Sequence, residues 1–469
     1  MLSAFHLPEP KLLFANDGEA ESPCVGLTKY GPRGLSSDPK YHRWIGVGFI
    51  GSAKSISLSK NLLESMNNFS IPPKREKPWN ITFPGLGIDS PLRFSLCFRR
   101  EWETEFAKNE IKSIYQLRSK GEKVEKLLQV IDKKLQIISE KETPPNVVII
   151  SIPEEIEKVC TEKDTKAVLL KTKTGEDFHN RIKVYGMRWH MPTQIIRPRT
   201  LYFRGTQDKS MVAWNLAVGI LYKSQKGHPW KISKLEKDTC YVGISFYREF
   251  LGKKEYKRTS MAQIFLDTGE SFVLRGDPFE WKSRSKPNSP HLDRIRAKKL
   301  IEKVLKQYHE NRGNYPSRLV VHKSSNYWPE EKEGFFEGTE NLEKIDLVTI
   351  TESPIRFFRP GKFATLRGTL VKLPGNTEYL LYTTGYVGTW GTFPGYGTPR
   401  PLLIRIVNED ADPIVISKEI LSMTKLDWNN TFIYRRKPVT LAVSMRVGRI
   451  LSESEAKNIK IDPHYYFYM

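Results

Sequence analysis

The segment NVVIISI, Asn146 to Ile152, is a continuous apolar run that follows the helix-stopping Thr143-Pro144-Pro145. A strand with one wet face alternates apolar and polar side chains, so a run without alternation belongs to a strand covered on both faces, as in a parallel sheet. The stretch before the prolines supplies a cover. Val124, Leu127, Leu128, Ile131, Leu135 and Ile138 recur at helical spacing and lay one apolar stripe on a charged segment. Earlier, HRWIGVGFIG (His42 to Gly51) reads as a strand, SAKSISLSKNLLESMNN as a polar helix and RFSLCFRR as a further strand. Strands alternating with helices predict an α/β first half.

The second half opens with TCYVGISFYREF and a hairpin, SMAQIFLDTGESFVLRG, whose turn falls at Thr268-Gly269. A helix follows, with Ser289-Pro290 as its expected N-cap pair and a stripe of Ala297, Leu300, Ile301, Val304, Leu305 and Tyr308. Gly313 ends it, and RLVVH returns to the sheet. Strand, hairpin, helix and returning strand is the order of an RNase H-like domain. We expect an N-terminal segment over 1–40, a first domain over 41–232 and a second over 233–469.

Charge narrows the class of partner. The 469 residues carry 75 Lys+Arg against 53 Asp+Glu, a formal net charge of +22, so nucleic acid or an anionic surface is the natural ligand. No run approaches a membrane span and no leader pattern opens the chain, so a cytoplasmic protein without membrane insertion is expected. Cys24, Cys97, Cys160 and Cys240 are widely spaced, which argues against a zinc knuckle or a disulfide framework.

The positive charge is concentrated between His179 and Lys209. Arg181, Lys183, Arg188, Arg197, Arg199, Arg204 and Lys209 stand there with a single acid, Asp208, and Tyr185, Trp189, Tyr202 and Phe203 are interleaved. That mixture suits a surface that neutralises phosphate and stacks on bases, with a merely solvated basic face as the alternative. In FHNRIK, His179 and Lys183 are four apart and share a helix face. Gln194 in MPTQIIRPRTL adds an amide, and Lys223 ends the apolar helix AWNLAVGILYKSQKG. A second unusual tract, GYVGTWGTFPGYG (Gly385 to Gly397), reads as a surface or substrate-facing loop, or as an incomplete phosphate cradle.

A ring, three residues, Lys, then Gln, then a helix ending in Lys resembles the MID domain of Argonaute proteins. IPEEIEKVC, PTQIIRPRTL, LYKSQKGHPWKI, CYVGISF, AQIFLDTGE, MTKLDWNNTFIY and KPVTLAVSMRVGRIL resemble prokaryotic Argonaute segments in the family's order, from Ile152 onward. The resemblance implies a Rossmann-like MID domain followed by an RNase H-like PIWI domain, in a short Argonaute without N and PAZ domains. It assigns His179 to the first guide base and Lys183, Gln194 and Lys223 to the guide 5′-phosphate, with Arg181, Arg197, Arg199 and Arg204 along the guide and target backbones. A structural Mg²⁺ near Gln194, held also by the Met469 carboxylate, is part of the same expectation.

Slicing Argonautes place carboxylates on the PIWI sheet, because paired metal ions need converging anionic oxygens. At the matching places this chain has Ser245, Ser324 and, after an expected Pro-Val-Thr strand, Met445. Neither residue type is a good Mg²⁺ ligand. Asp267 and Glu270 flank a turn, Glu330 and Glu331 are expected in a loop, and His322 is expected to be a satisfied inner-strand histidine. The resemblance then implies a non-cutting sensor in prokaryotic defence: guide RNA, complementary target DNA, and an APAZ-containing effector of TIR, sirtuin-like, nuclease or membrane type. The alternatives are a guided metal-dependent nuclease with displaced carboxylates and an unguided nucleic-acid-binding protein.

Overall fold

The computed structural model describes residues 3–67, 69–161, 174–251, 255–266, 270–280, 291–361, 364–375, 377–395, 397–408, 411–432 and 435–469. In the first domain, the strands Ser95–Cys97, Trp44–Gly51, Val147–Ser151 and Thr193–Ile196 lie side by side in that order, all parallel. Val147–Ser151 is an interior strand, as its unbroken apolar run demands. Val147 and Ile149 enter one core and Val148 and Ile150 the other, so each face has its own cover.

Helix Lys120–Ser139 packs on the second of these faces with the expected stripe, from Val124 to Ile138, buried. Its start is fixed by a capping box in which Ser119 and Glu122 each bond the other's backbone N–H. The helices Ala53–Glu64 and Lys209–Gln225 add their buried residues to the opposite core.

The second domain is built on a nine-stranded sheet. At its centre, Thr239–Leu251, Glu255–Leu266 and Ser271–Glu280 form an antiparallel meander, and Arg318–Lys323 and then Lys344–Glu352 add in parallel on the other side. This is the RNase H-like order. The hairpin turn at Thr268-Gly269 and Asp267 lie outside the described residues, but Leu266 N–H to Glu270 O at 2.9 Å closes the ladder beside them.

Three expectations are corrected. The helix Arg294–Arg312 buries its expected stripe, but its N-cap is Asp293, whose carboxylate accepts from Arg296 N–H; Ser289-Pro290 lies outside the described residues. The Pro-Val-Thr segment is two helices, Val439–Ala442 and Ser444–Ala456, and no strand. They pack flat on the meander because Gly243 has no side chain: a Cβ there would lie 1.9 Å from Thr440 O. Glu330 and Glu331 open the helix Pro329–Glu337 and do not sit in a loop.

Residues 3–6, which the sequence reading left in an N-terminal segment, form an edge strand of the second sheet against Thr369–Lys372. From there the chain crosses to the first domain. The Glu9 carboxylate is held by Arg367 at 2.8 Å and Lys425 at 2.6 Å, and Leu12–Leu13 pairs with Lys231–Ile232. One apolar core runs through both domains at this junction, where Trp230 donates to Lys425 O and Trp428 to Trp230 O, each at 3.0 Å.

Candidate nucleic-acid interface

Helix Thr174–Arg188 carries His179 and Lys183 one turn apart; strand Thr193–Ile196 carries Gln194, and helix Lys209–Gln225 carries Lys223 in its last turn. These elements meet, and the side chains meet with them. Lys183 is 2% exposed and its Nζ donates to Thr193 O at 2.5 Å, while Lys223, 1% exposed, donates to the Gln194 side-chain oxygen. Both lysine nitrogens therefore have neutral acceptors and, among the described residues, no carboxylate partner.

Electrostatics makes that arrangement unusual. Burial, then the charges of Lys223 and Arg446, push Lys183 well below its ordinary range. Burial and Arg446 bring Lys223 down to about 7. His179, partly buried, is pushed down by burial and then by Lys183, Arg446, Lys223 and Arg197. Like charges gathered out of water without a counter-ion cost several kcal/mol, and a phosphate dianion would reverse the sign of the balance.

Arg446 was not singled out from the sequence. It lies on helix Ser444–Ala456, which packs between strand Thr239–Leu251 and helix Thr174–Arg188. Ion pairs between Lys457 and Glu125 at 2.6 Å and between Arg181 and Glu453 at 3.4 Å tie that helix to the first domain. The cationic cluster thus draws on both domains, and linear spacing holds no signal for a residue that arrives from the other one.

The 3₁₀ turn Tyr465–Tyr468 packs against the helices that bear His179, Lys223 and Arg446, and Met469 is 3% exposed. The described side chains do not by themselves fit a resident Mg²⁺. Gln194 Oε1 and Thr193 O are each already taken by a lysine Nζ, Asn429 Oδ1 is a neutral amide oxygen, and the charges that act on the lysines are cationic.

The four arginines expected along nucleic-acid backbones divide. Arg181 is held by Glu125 and Glu453, Arg197 reaches Glu157 at 3.3 Å, and Arg204 reaches Glu154 at 3.1 Å while stacking on Tyr202. Arg199 is exposed and lines a cleft of about 390 Å³ with Gln194, Asn215 and, from the second domain, Asn429. Two of the interleaved aromatics prove structural: Tyr185 is buried in the core, and Trp189 donates to Asp132 at 2.7 Å. Tyr202 and Phe203 stay partly exposed, under Arg204 and Lys209.

On the second sheet, Ile244 is paired with Lys323, so Ser245 and Ser324 follow at the same level of adjacent parallel strands. Ser324 is exposed, and the Ser245 hydroxyl is buried without a hydrogen-bond partner among the described residues. Met445 lies in helix Ser444–Ala456, its side chain outside the described residues. His322 is fully buried, with Nδ1 2.9 Å from Thr440 Oγ1, and burial followed by Arg318 pushes it down to about 3. It is satisfied on one side only, since Nε2 lacks a partner among the described residues. Glu331, also fully buried, accepts from Lys323 and from Leu292 N–H at 3.2 Å, and is a counter-ion inside the fold. Glu270 and Glu330 are exposed. Among the described residues no three His, Cys, Asp or Glu side chains are grouped to hold a metal ion, and no helix is long and apolar enough to cross a membrane.

No family model matches the chain, and no curated protein does. Solved structures do match. Clostridium butyricum Argonaute bound to a guide DNA and a 19-mer target DNA superposes with a TM-score of 0.66 at 16% identity, covering 96% of this chain and 53% of that one. Drosophila Piwi gives 0.63 at 14% identity, with 99% and 56% covered. Argonaute of A. aeolicus gives 0.58 at 17% identity, with 98% and 55% covered. The chain spans about half the length of the structures it matches. Taken with the two sheets and their order, these likenesses identify the fold as that of Argonaute and Piwi proteins: a Rossmann-like MID domain followed by an RNase H-like PIWI domain.

Proposed function

We propose that this chain is a guide-dependent nucleic-acid sensor: it binds a short RNA guide by its 5′-phosphate, pairs it with complementary DNA, and signals to a separate APAZ-containing effector in prokaryotic defence. The observation that carries the reading is the buried pair Lys183 and Lys223 with the half-buried Arg446, whose positive charges oppose one another. A phosphate dianion in reach of these donors would accept charge-assisted hydrogen bonds and relieve the repulsion. His179, one turn before Lys183 on the same helix, would offer a ring to the first base.

Sequence specificity would come from base pairing, and the protein would contribute charge and shape. Serines at the two sheet positions where carboxylates would hold metal ions support binding without cutting. The output then has to pass through a partner, by a coupling free energy of about 1–3 kcal/mol between target pairing and the effector's active state. The Arg446 helix, packed on both domains, is a suitable route because a strand held in the MID pocket bears on a PIWI element.

Isolation of the protein from its host with whatever protein co-purifies, followed by sequencing of the bound nucleic acid, tests this reading. Short 5′-phosphorylated strands of narrow length distribution are expected. Strands of random length and end chemistry would overturn it in favour of an unguided binder.

A further inference from the structure

The phosphate pocket makes no use of the tract between strands Lys344–Glu352 and Leu402–Ile406. That tract holds six Lys/Arg, nine aromatic residues and one acid, Glu378. It repeats, in the second domain, the mixture of cations and rings that marks the first. Its residues line a cleft of about 460 Å³, a size that suits a small ligand or a single base, with Phe357, Phe358, Arg359, Tyr386 and Phe393 on its walls.

The cleft is built and held open. Gly391 and Gly397 take left-handed backbone conformations, with φ of 63° and 67°, that let the loop fold back on itself. Val387 and Thr392 form a bridge across it. At its tip Trp390 stacks on Trp79 of the MID domain with ring centroids 5.9 Å apart, and Thr389 donates to Glu21 at 2.9 Å. On the facing wall the backbone N–H of Phe357 donates to the Tyr382 hydroxyl at 2.5 Å. Phe358, by contrast, is 78% exposed, the most exposed large hydrophobic side chain among the described residues.

Position and charge indicate what covers it. Lys323 is paired with Thr349, so the tract leaves its strand at Glu352 only just beyond the level of Ser324, from the sheet end that carries both serines. Arg359 lies over the half-buried Tyr386 ring at 5.5 Å, and Arg356 donates at 3.4 Å to the O of Thr398, a residue of the cleft wall. A base offers a flat π-face to such rings and a phosphate to such cations, in any sequence.

We propose that this cleft receives an unpaired base of the bound nucleic acid, stacked on Phe358 and Phe393, with its phosphate against Arg356 and Arg359. The proposal rests on the reading of the chain as a guide-binding protein for the source of that base, which is an unpaired position of the guide or of the target.

The full chain and the variants Phe358→Ala and Phe358→Ala/Phe393→Ala are each loaded with a 5′-phosphorylated guide and mixed with a target that either ends flush with it or extends beyond it unpaired. 2-Aminopurine is placed at an unpaired position in one strand or the other. Quenching in the wild type that is lost in the variants is expected, and the strand that shows it identifies the source. Affinity for the extended target should fall about tenfold in the double variant, while affinity for the flush target and guide loading stay as in wild type. Quenching in neither strand, or an equal loss for flush and extended targets, overturns the proposal. Should the wild type fail to prefer a 5′-phosphorylated guide, the guide reading fails by itself; quenching of an unguided single strand that depends on Phe358 would still uphold the cleft, and its absence would overturn it.

Discussion

Lys223 holds the neighbouring Lys183 ammonium, already disfavoured by burial, well below its ordinary range, although the two residues come from different helices and each has only a neutral oxygen to bond. Protonating both would set two like charges against each other inside a folded domain, and an anion is what would reconcile them.

Truncation of both lysines should therefore abolish the pocket's use for a phosphate and leave the fold intact. In Lys183→Ala/Lys223→Ala, each lost charge-assisted hydrogen bond is worth roughly 1.5–3 kcal/mol, about tenfold or more per residue. The measurement is the dissociation constant for a 5′-phosphorylated guide against the same strand ending in a hydroxyl. Retention of the wild-type ratio would mean that the phosphate sits elsewhere.

The same pair makes stability depend on pH in a definite sense. In the unfolded chain a lysine titrates near 10.5, whereas Lys223 in the folded protein titrates near 7. Between those values the unfolded state binds more protons, so the stability of the guide-free protein should rise with pH from about 7 towards 10 and be flat, for this group, below 7. Lys183, shifted in the same direction, adds to the trend. A bound phosphate should restore both ammonium groups and flatten the profile. Thermal unfolding at pH 7 and pH 9, with and without a 5′-phosphorylated strand, reads the difference.

Buried charge elsewhere has a carboxylate partner. Lys323 is 1% exposed and Glu331 fully buried, and they bond each other, with His291 Nδ1 at 3.5 Å from the carboxylate. Glu331→Ala should cost about 3–5 kcal/mol by leaving Lys323 uncompensated, whereas the paired replacement Lys323→Met/Glu331→Leu should cost far less. Denaturant midpoints of the two variants separate these outcomes, and equal losses would mean that the pair is not coupled.

How much of this was legible follows from where each signal resides. The parallel strand at Val147–Ser151 and the helix stripes at Val124–Ile138 and Ala297–Tyr308 are local patterns, and the structure reproduces them. His179 and Lys183 share a face by helical period alone. What the sequence could not carry is the arrival of Arg446 and Asn429 from the second domain, and the edge strand at residues 3–6, since these depend on contacts hundreds of residues apart. The Pro-Val-Thr segment misled for a related reason: its β-branched residues favour a strand, but the bare surface at Gly243 admits a helix. Glu331 read as a loop acid because its partner Lys323 lies at the end of another element.

Incubation of guide-loaded protein with complementary target and Mg²⁺ or Mn²⁺ should give no guide-dependent product, because Ser245 and Ser324 offer no anionic oxygen to paired metal ions. A product cut at one fixed phosphate would establish the guided nuclease with displaced carboxylates instead.

Buried Lys183 and Lys223, with Arg446, are proposed to recognise the 5′ end of a guide strand. Equilibrium binding of one short RNA, prepared with a 5′-phosphate and with a 5′-hydroxyl, tests this most directly at fixed salt and pH. The phosphorylated strand should bind at least about tenfold more tightly, and the advantage should disappear in Lys183→Ala/Lys223→Ala. Equal affinity of the two strands for the wild-type protein would contradict it.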